Sequence, residues 1–167
     1  MPERMIRDLD PARDRGAVAT FLEEAQDYYR LWLHRAPGEA EVEDIFTSAP
    51  PGCDAAQSWR PGLYLDGHLS GVGELSFGWP TAEDAFLGLM ILAPRARSAG
   101  HGAWFHGQIL ARARAAGAPR IYLGVLDQNP RAKAFWHRMG YQETGVTRFD
   151  EETQHLLHRL CRPNLDP

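Results

Sequence analysis

Lysine is almost missing from this 167-residue sequence: Lys133 stands alone among 18 basic residues, and the rest are arginine. No basic tract forms either, and 18 basic against 22 acidic residues leave a net charge of −4. A mildly acidic chain of this kind is a poor partner for nucleic acid or anionic lipid. Cysteine is scarce. Cys53 and Cys161 lie far apart and outside any metal-ligand spacing, which excludes a disulfide framework and fits a reducing compartment. Long apolar runs are lacking too. The longest, Ala85 to Pro94, is half the roughly 20 residues that a bilayer requires. The N-terminal MPERMIRDLD carries charges where a signal peptide has an apolar core. His106, His137, His155 and His158 make no metal-ligand spacing with a carboxylate, so no metal is expected. The expectation is a cytoplasmic protein that engages neither membrane nor nucleic acid.

What is present is ordinary for a globular chain: 44% hydrophobic and 24% charged residues. The length suits a single domain, 1–167. Met5 to Leu9 reads as a strand. Asp10-Pro11 then opens a helix to about Glu24, the Asp as N-cap and the Pro at N1. Val18, Phe21, Leu22 and Ala25 supply its apolar spacing. A second helix covers Asp27 to His34. Glu39 to Phe46 is compatible with another, although the element order below does not count it. Gly62 to Leu65 and Leu69 to Phe77 flank Asp66-Gly67, a hairpin signal. Ala85 to Leu92 is apolar on both faces, as a central strand is. Helices follow at Gly100 to Ala116 and from Asn129-Pro130 to Met139, with a strand at Ile121 to Leu126 between them. Tyr141 to Thr144 and Gln154 to Leu160 read as final strands, and Pro163 to Pro167 as a frayed tail. The order is β-α-α-β-β-β-α-β-α-β-β, an α/β chain.

The chemistry gathers between Leu89 and Tyr141. A strand ends at Leu92-Ala93-Pro94, and Arg97-Ser98-Ala99-Gly100-His101-Gly102 opens a helix. The first N–H groups of a helix have no internal partner and sit at the positive end of its dipole, which suits an anion. Glycine lets a ligand approach the backbone, and Arg97 adds charge suited to a phosphate. The G-x-G-x-x-G and G-K-[ST] patterns of dinucleotide and P-loop sites are absent.

The run LMILAPRARSAGHGAWFHGQILARARAAG resembles the acetyl-CoA-binding motif of the GNAT superfamily of N-acetyltransferases, through Leu92, Pro94, Arg97, Gly100 and Gly102. The following RIYLGVLDQNPRAKAFWHRMGYQETG is similar to the family's next strand, Asn and helix, through Asn129, Ala132, Phe135, Gly140 and Tyr141. The resemblance implies a GNAT-like mixed, largely antiparallel central sheet flanked by helices. It implies acetyl-CoA as co-substrate, lying between the strands of Leu92 and Ile121. The pantetheine would pair with Met90 and Leu92. The pyrophosphate would rest on Ser98, Ala99, Gly100, His101, Gly102 and Ala103. Asn129 would face the pantetheine arm, and Phe135 would lie beside the cofactor. His101 lies over the pyrophosphate or faces solvent. Trp136 stands where many members carry a Tyr that protonates the leaving thiolate. An indole N–H cannot supply that proton, so Trp136 is read as a core aromatic.

An amine must lose a proton before it attacks. Carboxylates near Glu74 are the base in some members, which makes Glu74 the first candidate, against an outward-facing strand residue. Tyr28 is the alternative base, in the helix that walls the acceptor site in the family. Tyr28 and Tyr29 read equally well as packing. Asp27 reads as a ligand for a cationic acceptor or as an N-cap. The implied activity is acetyl transfer to a small-molecule or peptide amine by direct attack. The rival is an acyl-CoA-binding sensor of the same fold without turnover. A homodimer is left open.

Overall fold

A computed structural model describes residues 1–163 and 165. Seven strands form one sheet: β1 (Arg4–Asp8), β2 (Pro61–Leu65), β3 (His68–Phe77), β4 (Ala85–Leu92), β5 (Ile121–Leu126), β6 (Gln142–Asp150) and β7 (His155–Arg162). Their spatial order is β1-β2-β3-β4-β5-β7-β6. Every neighbouring pair is antiparallel except β4 and β5, which are parallel.

Helices cover both faces, because a sheet this apolar must bury both sides. On one face α1 (Pro11–Glu24), α2 (Gln26–Leu33) and α3 (Glu39–Thr47) bury Val18, Phe21, Leu22, Tyr29, Val42 and Ile45 against Tyr64, Val72 and Ile91. On the other, α4 (His101–Ala115) and α5 (Pro130–Arg138) bury Phe105, Ile109 and Trp136 against Leu75, Leu87 and Leu123. Asp10 caps α1 as its position before Pro11 requires, its side chain accepting from the Ala12 N–H at 2.8 Å.

Three details correct the sequence reading. Three helices, not two, precede β2. The Glu41 side chain reaches back to the Gly38 N–H at 2.7 Å and fixes the start of α3, and Val42 and Ile45 bury its inner face. The strand placed at Tyr141 to Thr144 begins at Gln142 and continues to Asp150. It is exposed along nearly its whole length, so no apolar alternation marks it, and its register breaks between Glu143 and Thr147. The tail does not fray at Leu165, which is buried and bonds through its N–H to the Pro119 carbonyl at 3.0 Å. Positions 164, 166 and 167 of that tail lie outside the described residues. Among the described residues, no helix is long and apolar enough to cross a membrane.

His106 lies inside the α4–α5 layer with its Nε2 2.9 Å from the Tyr141 hydroxyl. Burial, helped by the charge of Arg162, pushes its pKa down from 6.5 to about 4. The unfolded chain therefore binds a proton there before the folded chain does. The contribution is fully present above 6.5 and is lost as pH falls towards about 4. It amounts to about 3 kcal/mol at most, since one pKa unit is about 1.4 kcal/mol. Urea unfolding of the parent protein is expected to lose stability between pH 6.5 and 4.5. His106→Gln should be less stable at neutral pH yet flatter across this window. An unchanged pH slope in the variant overturns the assignment.

Candidate active site

The parallel pair β4–β5 is joined only at Ala85↔Ile121 and Phe86↔Tyr122. Beyond these residues the strands part. On its other side β4 stays paired with β3 as far as Leu92, and β5 stays paired with β7 to Leu126. The result is a gap in mid-sheet whose two lips are not joined by strand pairing. Backbone polar groups demand partners, and an extended chain of amides laid along β4 would supply them. Met90 and Leu92 lie on that lip.

A short 3-10 turn, Pro94–Ala96, leads from the gap to α4. Gly100 is the N-cap in the left-handed region, at φ 83°, without a side-chain cap. Its φ is one that L side chains rarely adopt. Ser98, Ala99, Gly100 and Ala103 are exposed, so the amides of this first turn are open to a ligand. Gly102 packs against α5, where an added Cβ would meet the Phe135 ring at 3.4 Å and Leu92 at 3.9 Å.

Arg97 does not stand free, as its reading from sequence required. Its Nε donates to the Leu92 carbonyl at 3.0 Å, and its guanidinium grips Asp27 of α2 at 2.5 and 3.1 Å. Asp27 is accordingly no N-cap, a place held by Ala25, and Arg97 holds its carboxyl below the usual range. The other arginine at the turn went unnoticed in sequence: Arg131, at the start of α5, donates to the Ser98 hydroxyl at 3.3 Å. Its signal was its place two residues after Asn129. Asn129 is the N-cap of α5, its carbonyl oxygen accepting from the Ala132 N–H at 3.1 Å, which leaves its NH₂ for another partner. His101 does not face solvent. It is 4% exposed, and its Nδ1 has no hydrogen-bond partner among the described residues.

Trp136 is buried among Phe135, His106 and Tyr141 at centroid distances of 4.9, 5.6 and 5.4 Å. It is a core aromatic. Trp136→Phe is expected to cost about 1–3 kcal/mol of stability and to leave turnover within about tenfold. Loss beyond a thousandfold in a folded variant, about 4 kcal/mol, would give the indole a role in the reaction.

Glu74 is not an outward-facing strand residue. It lies on β3, 5% exposed. The β3–β4 register pairs Glu74 with Leu89 and Leu75 with Leu87, so Gly88 is an extra residue in β4, a bulge. Gly88 is exposed just past the point where β4 leaves β5. The space its Cβ would take is held by Glu74, whose Oε2 lies 1.9 Å from that hypothetical atom. The carboxylate thus rests against bare backbone where the gap opens. Burial raises its pKa, while the Ser76 hydrogen bond and the Arg60 charge pull it back. Arg60 is itself buried and donates to the carbonyls of Ile45 and Ser48 at 3.0 and 2.6 Å. Gly88 and Arg60 carry no such signal in sequence, because bulge and burial are properties of strand pairing.

Tyr29 is buried in the α1–α3 core, and Tyr28 is half-buried against it, with their rings edge to face at 5.3 Å. Burial pushes the Tyr28 hydroxyl up to about 12. Its phenolate is scarce at neutral pH, so Tyr28 is suited to donate a hydrogen bond and poorly suited to act as the base.

The sheet is thus split between two parallel strands, and the turn that follows the first of them leads to the N-terminus of α4. A sequence model described as "Acetyltransferase (GNAT) family" matches residues 17–141, and the chain belongs to this family. Among solved structures, an acetyltransferase from Thermus thermophilus aligns at TM-score 0.77 and 23% identity, covering 98% of this chain and 99% of that one. The Escherichia coli ribosomal-protein-S18-alanine N-acetyltransferase aligns at 0.70 and 14%, covering 97% and 94%. Ard1 from Thermoplasma volcanium aligns at 0.72 and 18%, covering 98% and 99%. No curated protein matches the sequence.

Proposed function

We propose that the protein is an N-acetyltransferase that moves an acetyl group from acetyl-CoA to a primary amine, with Glu74 as general base. The observation that carries this reading is the Glu74 carboxylate lying against the Gly88 bulge at the mouth of the β4–β5 gap. The pantetheine pairs with the lip of β4 at Met90 and at the Leu92 N–H, the Leu92 carbonyl being held by Arg97. The pyrophosphate rests on the amides of Ser98 to Ala103, with Arg131 beside them. The NH₂ of Asn129 and the ring of Phe135 flank the arm.

The acceptor enters from the α1–α3 side, where Glu74 faces. A protonated alkylamine, with a pKa near that of Lys, about 10.4, cannot attack. Glu74 takes its proton, and the neutral amine adds directly to the thioester. The raised pKa of Glu74 brings it nearer neutrality, where a base works best. A thiol has a pKa of about 8.5, so its thiolate leaves without prior protonation, and Trp136 is no obstacle. Positioning supplies much of the rate.

The test is thiol release from acetyl-CoA with a panel of alkylamines, polyamines, amino acids and short peptides with free N-termini. Release dependent on one class of amine supports the proposal. Tight acetyl-CoA binding with no release from any of them favours the sensor reading. The acceptor stays open between small molecules and peptides. The structural neighbours include both the ribosomal-protein-S18-alanine enzyme and a nourseothricin acetyltransferase, the latter at TM-score 0.59 and 24% identity over 70% of each chain.

A further inference from the structure

We propose that Ser76 and Ser58 form a hydroxyl relay that carries the proton from Glu74 to solvent on the side away from the acyl donor. This rests on the reading of Glu74 as the base. A buried base has a difficulty that an exposed one lacks: it must discharge its proton every turnover while substrate covers it. Glu74 is 5% exposed, so little water reaches it directly, and bound substrate covers what remains.

A continuous path leads out. The Ser76 hydroxyl donates to Glu74 Oε1. Ser76, fully buried, has its Oγ 2.6 Å from the Ser58 Oγ, and either hydroxyl can donate. Ser58 is half-buried and follows the short 3-10 turn Ala55–Gln57, whose Ala56 and Gln57 are exposed. Each link is a hydroxyl able to donate and accept at once, as proton transfer along a chain requires. The two serines arrive from different segments, one from β3 and one from the turn before β2. Their alignment on one carboxylate is therefore tertiary.

The transfer balances. An N–H bond of the ammonium breaks and the Glu74 O–H bond forms. The electron pair left on nitrogen attacks the thioester carbonyl; the C–S bond then breaks with its electron pair on sulfur, and the second proton that nitrogen loses in becoming an amide passes to that thiolate to give the free thiol. Glu74 then releases the proton to Ser76, the Ser76 proton passes to Ser58, and the Ser58 proton passes to water. One proton leaves per amide formed, which is the stoichiometry of acylating an ammonium. Arg60 donates to main-chain carbonyls near this path. Its fixed positive charge favours restoring the Glu74 anion and discourages a proton from resting beside it.

Ser58 is the decisive position, since it is not hydrogen-bonded to Glu74 and lies outside the proposed donor site. Ser58→Ala and Ser76→Ala are compared with the parent, using acetyl-CoA and the fastest amine of the panel. Both are expected to lower kcat about tenfold or more at neutral pH, with KM for acetyl-CoA unchanged. Imidazole buffer, a small diffusible proton carrier, should restore part of the loss. The solvent deuterium effect on kcat should rise, and Ser58→Thr should keep the parent rate. Unchanged kcat and isotope effect in both alanine variants, with Glu74→Gln inactive, overturn the relay and leave the base standing. Full activity in Glu74→Gln overturns both. A loss in the alanine variants that neither imidazole nor the isotope registers is a packing effect and also overturns the relay.

Discussion

Glu74→Gln is expected to lower turnover at neutral pH by about a hundredfold or more, within the usual 10² to 10⁴ for loss of a general base. Affinity for acetyl-CoA should stay as it is, because the side chain faces the acceptor side. In the parent, activity should fall on the acid side with a midpoint above the ordinary Glu value of about 4.3, since burial raises the Glu74 pKa. In the variant that limb should vanish, and the rate should climb at high pH as neutral amine accumulates. The same substitution should raise thermal stability at neutral pH. A carboxyl whose folded pKa lies above its unfolded one contributes stability below the unfolded pKa. That contribution is lost as pH rises through the folded pKa. At pH 7 the anion is therefore a cost to the fold, which an uncharged amide removes. A variant that is both slower and more heat-resistant distinguishes a strained functional group from a stabilising one. Near-parental turnover across pH would return Glu74 to a structural role.

Gly102→Glu should abolish acetyl-CoA binding in a protein that still folds. There is room for a Cβ at this position, in ordinary contact with Phe135 and Leu92, so the helix itself tolerates a side chain. The remainder of a glutamate is expected to set a negative charge beside the first turn of α4, against the pyrophosphate that the proposed function places there. Gly102→Ala is the control and should bind within a fewfold of the parent. Calorimetry decides the matter: unchanged affinity in Gly102→Glu would remove the pyrophosphate from this turn. A loss in the alanine variant as large as that in the glutamate variant would point instead to the α4–α5 packing.

How much of this could be read from the chain follows from the range of each signal. The boundaries of α1 were legible because Asp10, Pro11 and the apolar spacing are local. So were the Asp66-Gly67 hairpin and the turn at Arg97 to Gly102. β6 was cut short because an edge strand exposed on both faces has no alternation to display. The partnership of Arg97 with Asp27 joins residues 70 apart in sequence, and no spacing rule predicts it. The same holds for the bulge at Gly88. Glu74 stood among the candidates, but whether it faced water or the gap depended on which residue of β4 lay opposite. Trp136 was read correctly for a simple reason: a large aromatic on the apolar stripe of a short helix has nowhere else to go.

The fit of Glu74 into the void above Gly88 has a consequence for how this chain can change. Positions 74 and 88 are not free to vary independently. An alanine at 88 would put its methyl carbon 1.9 Å from Oε2, so in the present background it must evict the carboxylate or push the strands apart. In a background where residue 74 is already short, such as Glu74→Ala, the same alanine fills empty space. The two substitutions should therefore show strong epistasis, with Gly88→Ala harmful alone and close to neutral second. Any lineage that gives residue 88 a side chain has to shorten residue 74 first.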